Sequence, residues 1–344
     1  MLNKIYESSK KILKRNYKGI IFLICFTLII SYPVPYYIFT SGGISDLSSK
    51  FEIEEAYTQE GSYNLSYVTE INAQVLTFLL GKIIPSWDVV EISNYQITSD
   101  ESLEEIAIRD KLSLEVANQT ATFLAYSKAG KKIDIKKTNL YIIYTSEYLQ
   151  SSEKIYIGDI LTKVDGIEIS TFEDLTSYID NKEVGDSIKL EIVRGEKSIE
   201  ITVLVQEVDG RKSIGIAIYK IYEYETDPKI TFKFSTNESG SSAGLMTTLA
   251  IYDTLIEEDL TNGLKIAGTG TIDSTGVVGE IGGVSYKLKG AVYKNADVFL
   301  VPVGENYEEC IKLKSEKNYN IKIVPVATLD DAINYLRSLK NEKE

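Results

Sequence analysis

Between Lys212 and residue 340, strand-like and helix-like segments take turns along the chain, and such alternation confines this stretch to a mixed α/β architecture with helices packed on a sheet. Strands are expected over 230–234, 264–272, 298–302 and 321–326. Helices are expected over 243–255, 284–294 and 305–314, with a last one announced by the capping pattern Thr328-x-x-Asp331. A Gly/Ser turn precedes the first helix, and a glycine-rich connection precedes the second.

Upstream, residues 112–129 read as a helix. Apolar residues recur at Leu114, Val116, Ala121, Leu124 and Ala125, and Gly130 ends the run. A β-rich module follows, with strand-like segments over 140–144 and 188–193 and a helix over 172–179 started by Ser170 and Thr171. Between them stands Ile157-Gly158-Asp159-Ile160-Leu161-Thr162-Lys163-Val164-Asp165-Gly166, and Val184-Gly185-Asp186 comes later. Together these resemble the G-D-x-I-x-x-V-(D/N)-G and G-D-x-V pattern of PDZ domains over residues 133–206. The resemblance implies a groove between a strand and a helix where an extended peptide adds as a further strand. It also implies a carboxylate-binding loop before Leu140, where Lys137-Thr138-Asn139 stands in place of the usual Gly-rich version.

The chain begins differently. Gly19 to Phe39 carries no charge, and its 21 residues match the ~20 that span a bilayer as a helix. Pro33 and Pro35 are expected to kink or end the helix near Ser31, with Tyr32, Tyr36 and Tyr37 forming an interfacial belt. Lys4, Lys10, Lys11, Lys14, Arg15 and Lys18 precede the run, which by the positive-inside rule places the N-terminus in the cytoplasm and everything after residue 40 outside. A cleaved signal peptide fits less well, because no A-x-A-like site follows. The expected organisation is a basic cytoplasmic tip (1–18), a transmembrane helix (19–39), a spacer (40–111), a helix plus PDZ-like domain (112–207) and the α/β domain (212–340).

The chemistry is narrowed by what is missing. The sequence holds no histidine, which excludes Ser-His-Asp and Cys-His hydrolases and zinc peptidases with His ligands. Its two cysteines form no disulfide framework and no zinc site. The net charge of −13 argues against nucleic acid as a partner. A covalent hydrolase built from this chain must therefore deprotonate its nucleophile with a base other than histidine.

Two segments supply such a pair: Glu238-Ser239-Gly240-Ser241-Ser242-Ala243-Gly244-Leu245-Met246, and Thr269-Gly270-Thr271-Ile272-Asp273 through Gly279-Glu280-Ile281-Gly282-Gly283-Val284-Ser285-Tyr286-Lys287. They resemble the G-P-S-A-G and T-G-x-I…G-x-(I/V)-G-G-(I/V)-x-x-K signatures of the Lon proteolytic domain over residues 215–338. Ser241 stands where that family has proline. A serine is activated by a neighbouring base, and a lysine serves once burial lowers its pKa from ~10.4 toward neutrality. Lys287 lies among Val284, Leu288 and Ala291 of its own helix, whereas Lys289 points ~200° away. Ser242 is expected to head its helix, where backbone N–H groups would stabilise an oxyanion, and Gly240 and Gly244 are expected to admit a substrate backbone. By the resemblance, Thr269 holds Lys287 in place.

The whole resembles the membrane-anchored PDZ-containing Lon-like peptidases. The expected fold class is α/β and β: an N-terminal transmembrane helix, a PDZ-like β-rich module and a Lon-type mixed α/β proteolytic domain. The expected function is ATP-independent serine endopeptidase cleavage of peptides or flexible protein segments outside the membrane. No G-x-x-x-x-G-K-(S/T) loop and no dinucleotide fingerprint occurs, so no cofactor is expected. The expected partners are a peptide or protein substrate and, through the N-terminal helix, membrane lipid; whether copies form a homo-oligomer is left open. The alternative function is a non-catalytic PDZ-type adaptor. A signal-peptidase type of Ser-Lys enzyme is disfavoured because Ser242 lies far from Phe39.

Overall fold

The computed structural model describes residues 2–99 and 101–341, which fall into two compact units. One comprises residues up to 41 together with 68–95, and the other residues 42–67 and 96 onward. The side chains of Lys4 and Lys11 lie outside the described residues.

The first unit overturns the expected membrane span. Its helix, Leu2–Ile30, contains only the first part of the uncharged run, Gly19 to Ile30, which at 1.5 Å per residue is about 18 Å long against a hydrocarbon core of ~30 Å. From Pro33 the chain is a β-strand, Pro33–Asp46, and Tyr36 to Thr40 pair antiparallel with Trp87–Glu91. Of the three residues expected to form the interfacial belt, Tyr36 and Tyr37 pack in the unit and Tyr32 is exposed. Tyr37 is buried with its ring edge-on to Tyr95, and Tyr36 packs on Phe78. Val, Tyr, Ile and Phe favour a pleated, half-buried surface as readily as a lipid-facing helix, so hydropathy alone does not separate the two. Among the described residues no helix is long and apolar enough to cross a membrane. Among the described residues the transmembrane element of the expected fold class is thus not found, and the single-pass, extracytoplasmic placement built on it loses its physical basis.

The second unit is built on parallel strands. Val298–Pro302 lies between Lys322–Val326 and Lys265–Gly268, and the latter also pairs in parallel with Ser62 to Leu65. The segment expected to be a spacer therefore contributes a strand. Side-chain alternation divides the sheet's two faces. Ile266, Val298, Leu300, Val324 and Val326 join one core with the helices Leu103–Lys128, Gly244–Leu255 and Leu329–Asn341. Ala267, Phe299, Val301 and Ile323 join another with the helices Val284–Tyr293 and Glu305–Lys317. Apolar residues on both faces make these strands near-continuous hydrophobic runs, which is why they are legible in the sequence.

The strand expected over 264–272 is broken. It stops at Gly268 and resumes as Thr271–Ile272, which pairs with Val278–Gly279. The helix expected over 112–129 starts earlier, at Leu103, behind a capping box formed by Ser102 and Glu105. Its first turns carry Glu104, Glu105, Arg109 and Asp110 among Leu103, Ile106 and Ala107, so the apolar spacing there is short and interrupted by charge.

The PDZ-like module is a sheet in the order Ile216–Asp227, Lys132–Thr145, Ile160–Val164, Ser187–Arg194, Lys197–Leu204, with the helix Phe172–Asp180 over its own core. Lys137-Thr138-Asn139, expected to be a carboxylate loop, lies inside the long first strand, paired with Glu223, Tyr222 and Ile221. No loop exists there. The edge strand comes instead from residues after the β-rich motif, Ile216–Asp227, introduced by a turn at Gly215 with φ of 75°.

Candidate active site

Three segments of the second unit meet at one point. The turn Gly240-Ser241-Ser242-Ala243 leads into the helix Gly244–Leu255, so Ser242 stands just outside the helix it was expected to head. Gly240 has φ of 89°, in the left-handed region that only glycine adopts freely, and its N–H donates to the carbonyl of Asp110 at 3.0 Å. Space around Gly240 is open, whereas a Cβ on Gly244 would lie 3.0 Å from Ile272 Cγ2 and 3.1 Å from its backbone nitrogen. Gly244 thus permits close packing of helix on strand rather than approach of a substrate.

The break after Gly268 supplies the second segment. The Thr269 N–H donates to Leu300 O at 3.0 Å, which continues the sheet for one residue, and the Gly270 N–H then turns to Ser242 O at 3.0 Å. The Gly270 carbonyl accepts from the Leu245 N–H at 3.0 Å. Thr269 is fully buried, and its hydroxyl donates to Ser242 O at 3.1 Å. The serine's backbone is therefore fastened to the sheet from two sides.

The third segment is the helix Val284–Tyr293, entered through Gly283 in the left-handed conformation. Lys287 lies one turn in, is only 4% exposed, and has its N–H on Gly283 O. Its Nζ stands 2.7 Å from Ser242 Oγ and 3.1 Å from Thr269 Oγ1. Burial pushes its pKa down to about 8, and no carboxylate pairs with it among the described residues. Lys289 is elsewhere, over the ring of Tyr286.

Ser242 is half-buried and hence reachable, and among the described residues no acceptor takes its backbone N–H or that of Ala243. All four residues singled out from the sequence, Ser242, Lys287, Thr269 and Gly240, belong to this one place. Two contributors were not foreseen. Asn306, buried in the first turn of Glu305–Lys317, accepts from the Ile281 N–H at 2.8 Å and donates to the Ile281 carbonyl at 3.0 Å, fixing the loop that leads to Lys287. Asp110 acts through its main-chain carbonyl. Neither leaves a sequence signal, because one partner lies 25 residues away and the other contact uses no side chain.

Comparison with known proteins gives two family matches. Residues 149–205 match the PDZ domain, and residues 231–338 match the Lon protease (S16) C-terminal proteolytic domain. The second segment contains Ser242, Thr269 and Lys287. Among solved structures, the chain is similar to the PDZ domain of an SdrC-like protein from Listeria monocytogenes, with 23% identity over 25% of this chain and 92% of that one and a TM-score of 0.23. It is also similar to the PDZ domain of an SdrC-like protein from Listeria innocua, with 25% identity over 24% of this chain and 93% of that one and a TM-score of 0.22. No curated protein sequence matches.

Proposed function

We propose that this chain, with its match to the PDZ domain and to the Lon protease proteolytic domain, is a serine-type peptidase that cleaves peptides or flexible protein segments with Ser242 as nucleophile and Lys287 as its base, without ATP. The observation that carries this reading is the 2.7 Å separation of Lys287 Nζ from Ser242 Oγ at a buried lysine without an acidic partner among the described residues. The neutral amine accepts the hydroxyl proton while Oγ bonds to the substrate carbonyl carbon. The oxyanion that forms is stabilised by the free N–H groups of Ser242 and Ala243 at the positive end of the Gly244–Leu255 helix. The ammonium of Lys287 then returns its proton to the leaving amine, and water, deprotonated by the same lysine, hydrolyses the acyl-serine. Thr269 orients Lys287 and the serine carbonyl together. The absence of a nucleotide-binding loop supports substrates that need no unfolding motor.

The PDZ module presents the peptide by strand addition, at a different edge from the one expected. No strand pairs with the outer edge of Ile216–Asp227 among the described residues. The helix Phe172–Asp180 is tied to the short strand Arg211–Ser213 just before that edge: Lys212 Nζ donates to Asp180 O at 2.8 Å. Asp174 is held below the usual carboxylate range by the Ser170 N–H, by Thr171 and, more weakly, by the Lys220 ammonium. The turn at Ser213-Ile214-Gly215 enters this edge and takes the place assigned to the carboxylate loop.

The test is cleavage of a fluorogenic peptide library by the purified chain without nucleotide. Wild type is expected to turn over. Ser242→Ala, folded by circular dichroism, is expected to be inactive, while Ser241→Ala and Ser239→Ala stay active. Full activity in Ser242→Ala would assign the nucleophile elsewhere.

A further inference from the structure

The helix Leu103–Lys128 touches both working parts of the second unit. It closes the far half of the PDZ edge: Gln119, only 2% exposed, accepts the outward N–H of Tyr222 on its Oε1 at 3.0 Å and donates from Nε2 to Glu115 Oε1 at 3.1 Å. Phe123 packs on the rings of Tyr222 and Tyr224 at 5.5 and 5.0 Å, and Tyr126 OH donates to Pro228 O at 2.7 Å. Two and a half turns earlier, Asp110 holds the Gly240 N–H at 3.0 Å, and Ala121, Ala125 and Tyr126 share a core with Leu245, Met246 and Leu249 behind the catalytic turn. The edge strand is thus open beside Phe172–Asp180 and, a few residues on, bonded to the helix that carries the Gly240 anchor.

We propose that Leu103–Lys128 is a strut through which occupancy of the PDZ edge orders the turn presenting Ser242, with Gln119 and the Asp110 carbonyl as its positioning contacts. This rests on the reading of Ile216–Asp227 as the peptide-binding edge. The physical basis is entropic. A peptide added along Ile216 to Lys220 completes an edge that is now unpaired and stiffens the strand at Tyr222. The helix bonded there loses freedom, and the Gly240 hydrogen bond at its other end opens less often. A turn fixed in advance spends less free energy on orientation in the transition state, so kcat rises while KM for a short substrate stays unchanged.

The experiment uses the full chain and, as probe, a mixture of hexapeptides ending in free Val, Leu, Ile, Ala or Phe, with the amidated mixture as control. Binding is followed by calorimetry, amide exchange by mass spectrometry over residues 239–243, and kcat with a fluorogenic tetrapeptide. The expected result is at least fivefold slower exchange over 239–243 and a threefold or greater rise in kcat. In Gln119→Leu, and in Phe123→Leu should the first variant fold poorly, the hexapeptides are expected to bind as before with both effects lost. Binding without change at 239–243, or effects that persist in the folded variants, overturns the strut alone. No binding by either mixture overturns the strand-addition reading, and the strut with it.

Discussion

Replacing Lys287 by Met tests whether burial has prepared this lysine for proton transfer. Methionine keeps the length of the side chain and removes the amine. Burial lowers the lysine pKa from 10.5 to about 8, and each unit is worth ~1.36 kcal/mol, so holding the ammonium in this site costs the folded state roughly 3 kcal/mol. The sign follows from proton counting. Between about pH 8 and 10.5 the unfolded chain binds the proton that the folded chain has lost, so this destabilisation is complete below pH 8, fades as pH rises, and is gone above 10.5. The two hydrogen bonds to Ser242 and Thr269, about 1 kcal/mol each, oppose it at every pH. Lys287→Met is therefore expected to be inactive yet about 1 kcal/mol more stable than wild type near pH 7, and about 2 kcal/mol less stable near pH 11. Urea unfolding of both proteins at intervals from pH 7 to 11 measures the difference, in which the titrating tyrosines common to both cancel. A stability difference that is flat across this range, or that moves in the variant's favour as pH rises, would refute a buried, depressed Lys287.

The same ionisation is expected in the rate: kcat/KM for a peptide should rise about tenfold from pH 6 to 7 and level off above pH 9, as a stopped assay in constant-ionic-strength buffers reads directly. Lys287→Arg should be inactive throughout, because guanidinium does not lose its proton, and Lys289→Arg should keep wild-type rates. Gly244→Ala should lower stability by about 1–3 kcal/mol by forcing Ile272 aside, read as a drop in Tm; an unchanged Tm contradicts the packing role given to this glycine. Thr269→Val should reduce kcat about tenfold at unchanged KM, since the hydroxyl joins Lys287 to the serine carbonyl; a loss confined to KM would place Thr269 in substrate binding.

How much was legible in the sequence follows from the range of each signal. The alternating elements from residue 230 onward were readable because strands buried on both faces are short, uniform apolar runs, and helices with caps such as Thr328/Asp331 announce themselves locally. The pair of Ser242 and Lys287 was named because the lack of histidine left few bases and two glycine-marked motifs framed both residues. What tertiary structure alone decided concerns partners distant in the chain. Hydropathy could not say that Tyr36 to Thr40 would find a strand at Trp87–Glu91, so an apolar run read as a membrane span became half helix and half sheet. The outer edge of the PDZ-like sheet is formed by residues after the motif, paired with a strand before it, and only that pairing moves the proposed groove from Leu140 to Ile216. The 2.7 Å between Ser242 and Lys287, the clamp of Asn306 on Ile281 and the hold of Asp110 on Gly240 belong to the folded chain for the same reason: residue type travels with the sequence, but the desolvation and distance that give it chemistry arise only when separate segments are packed together.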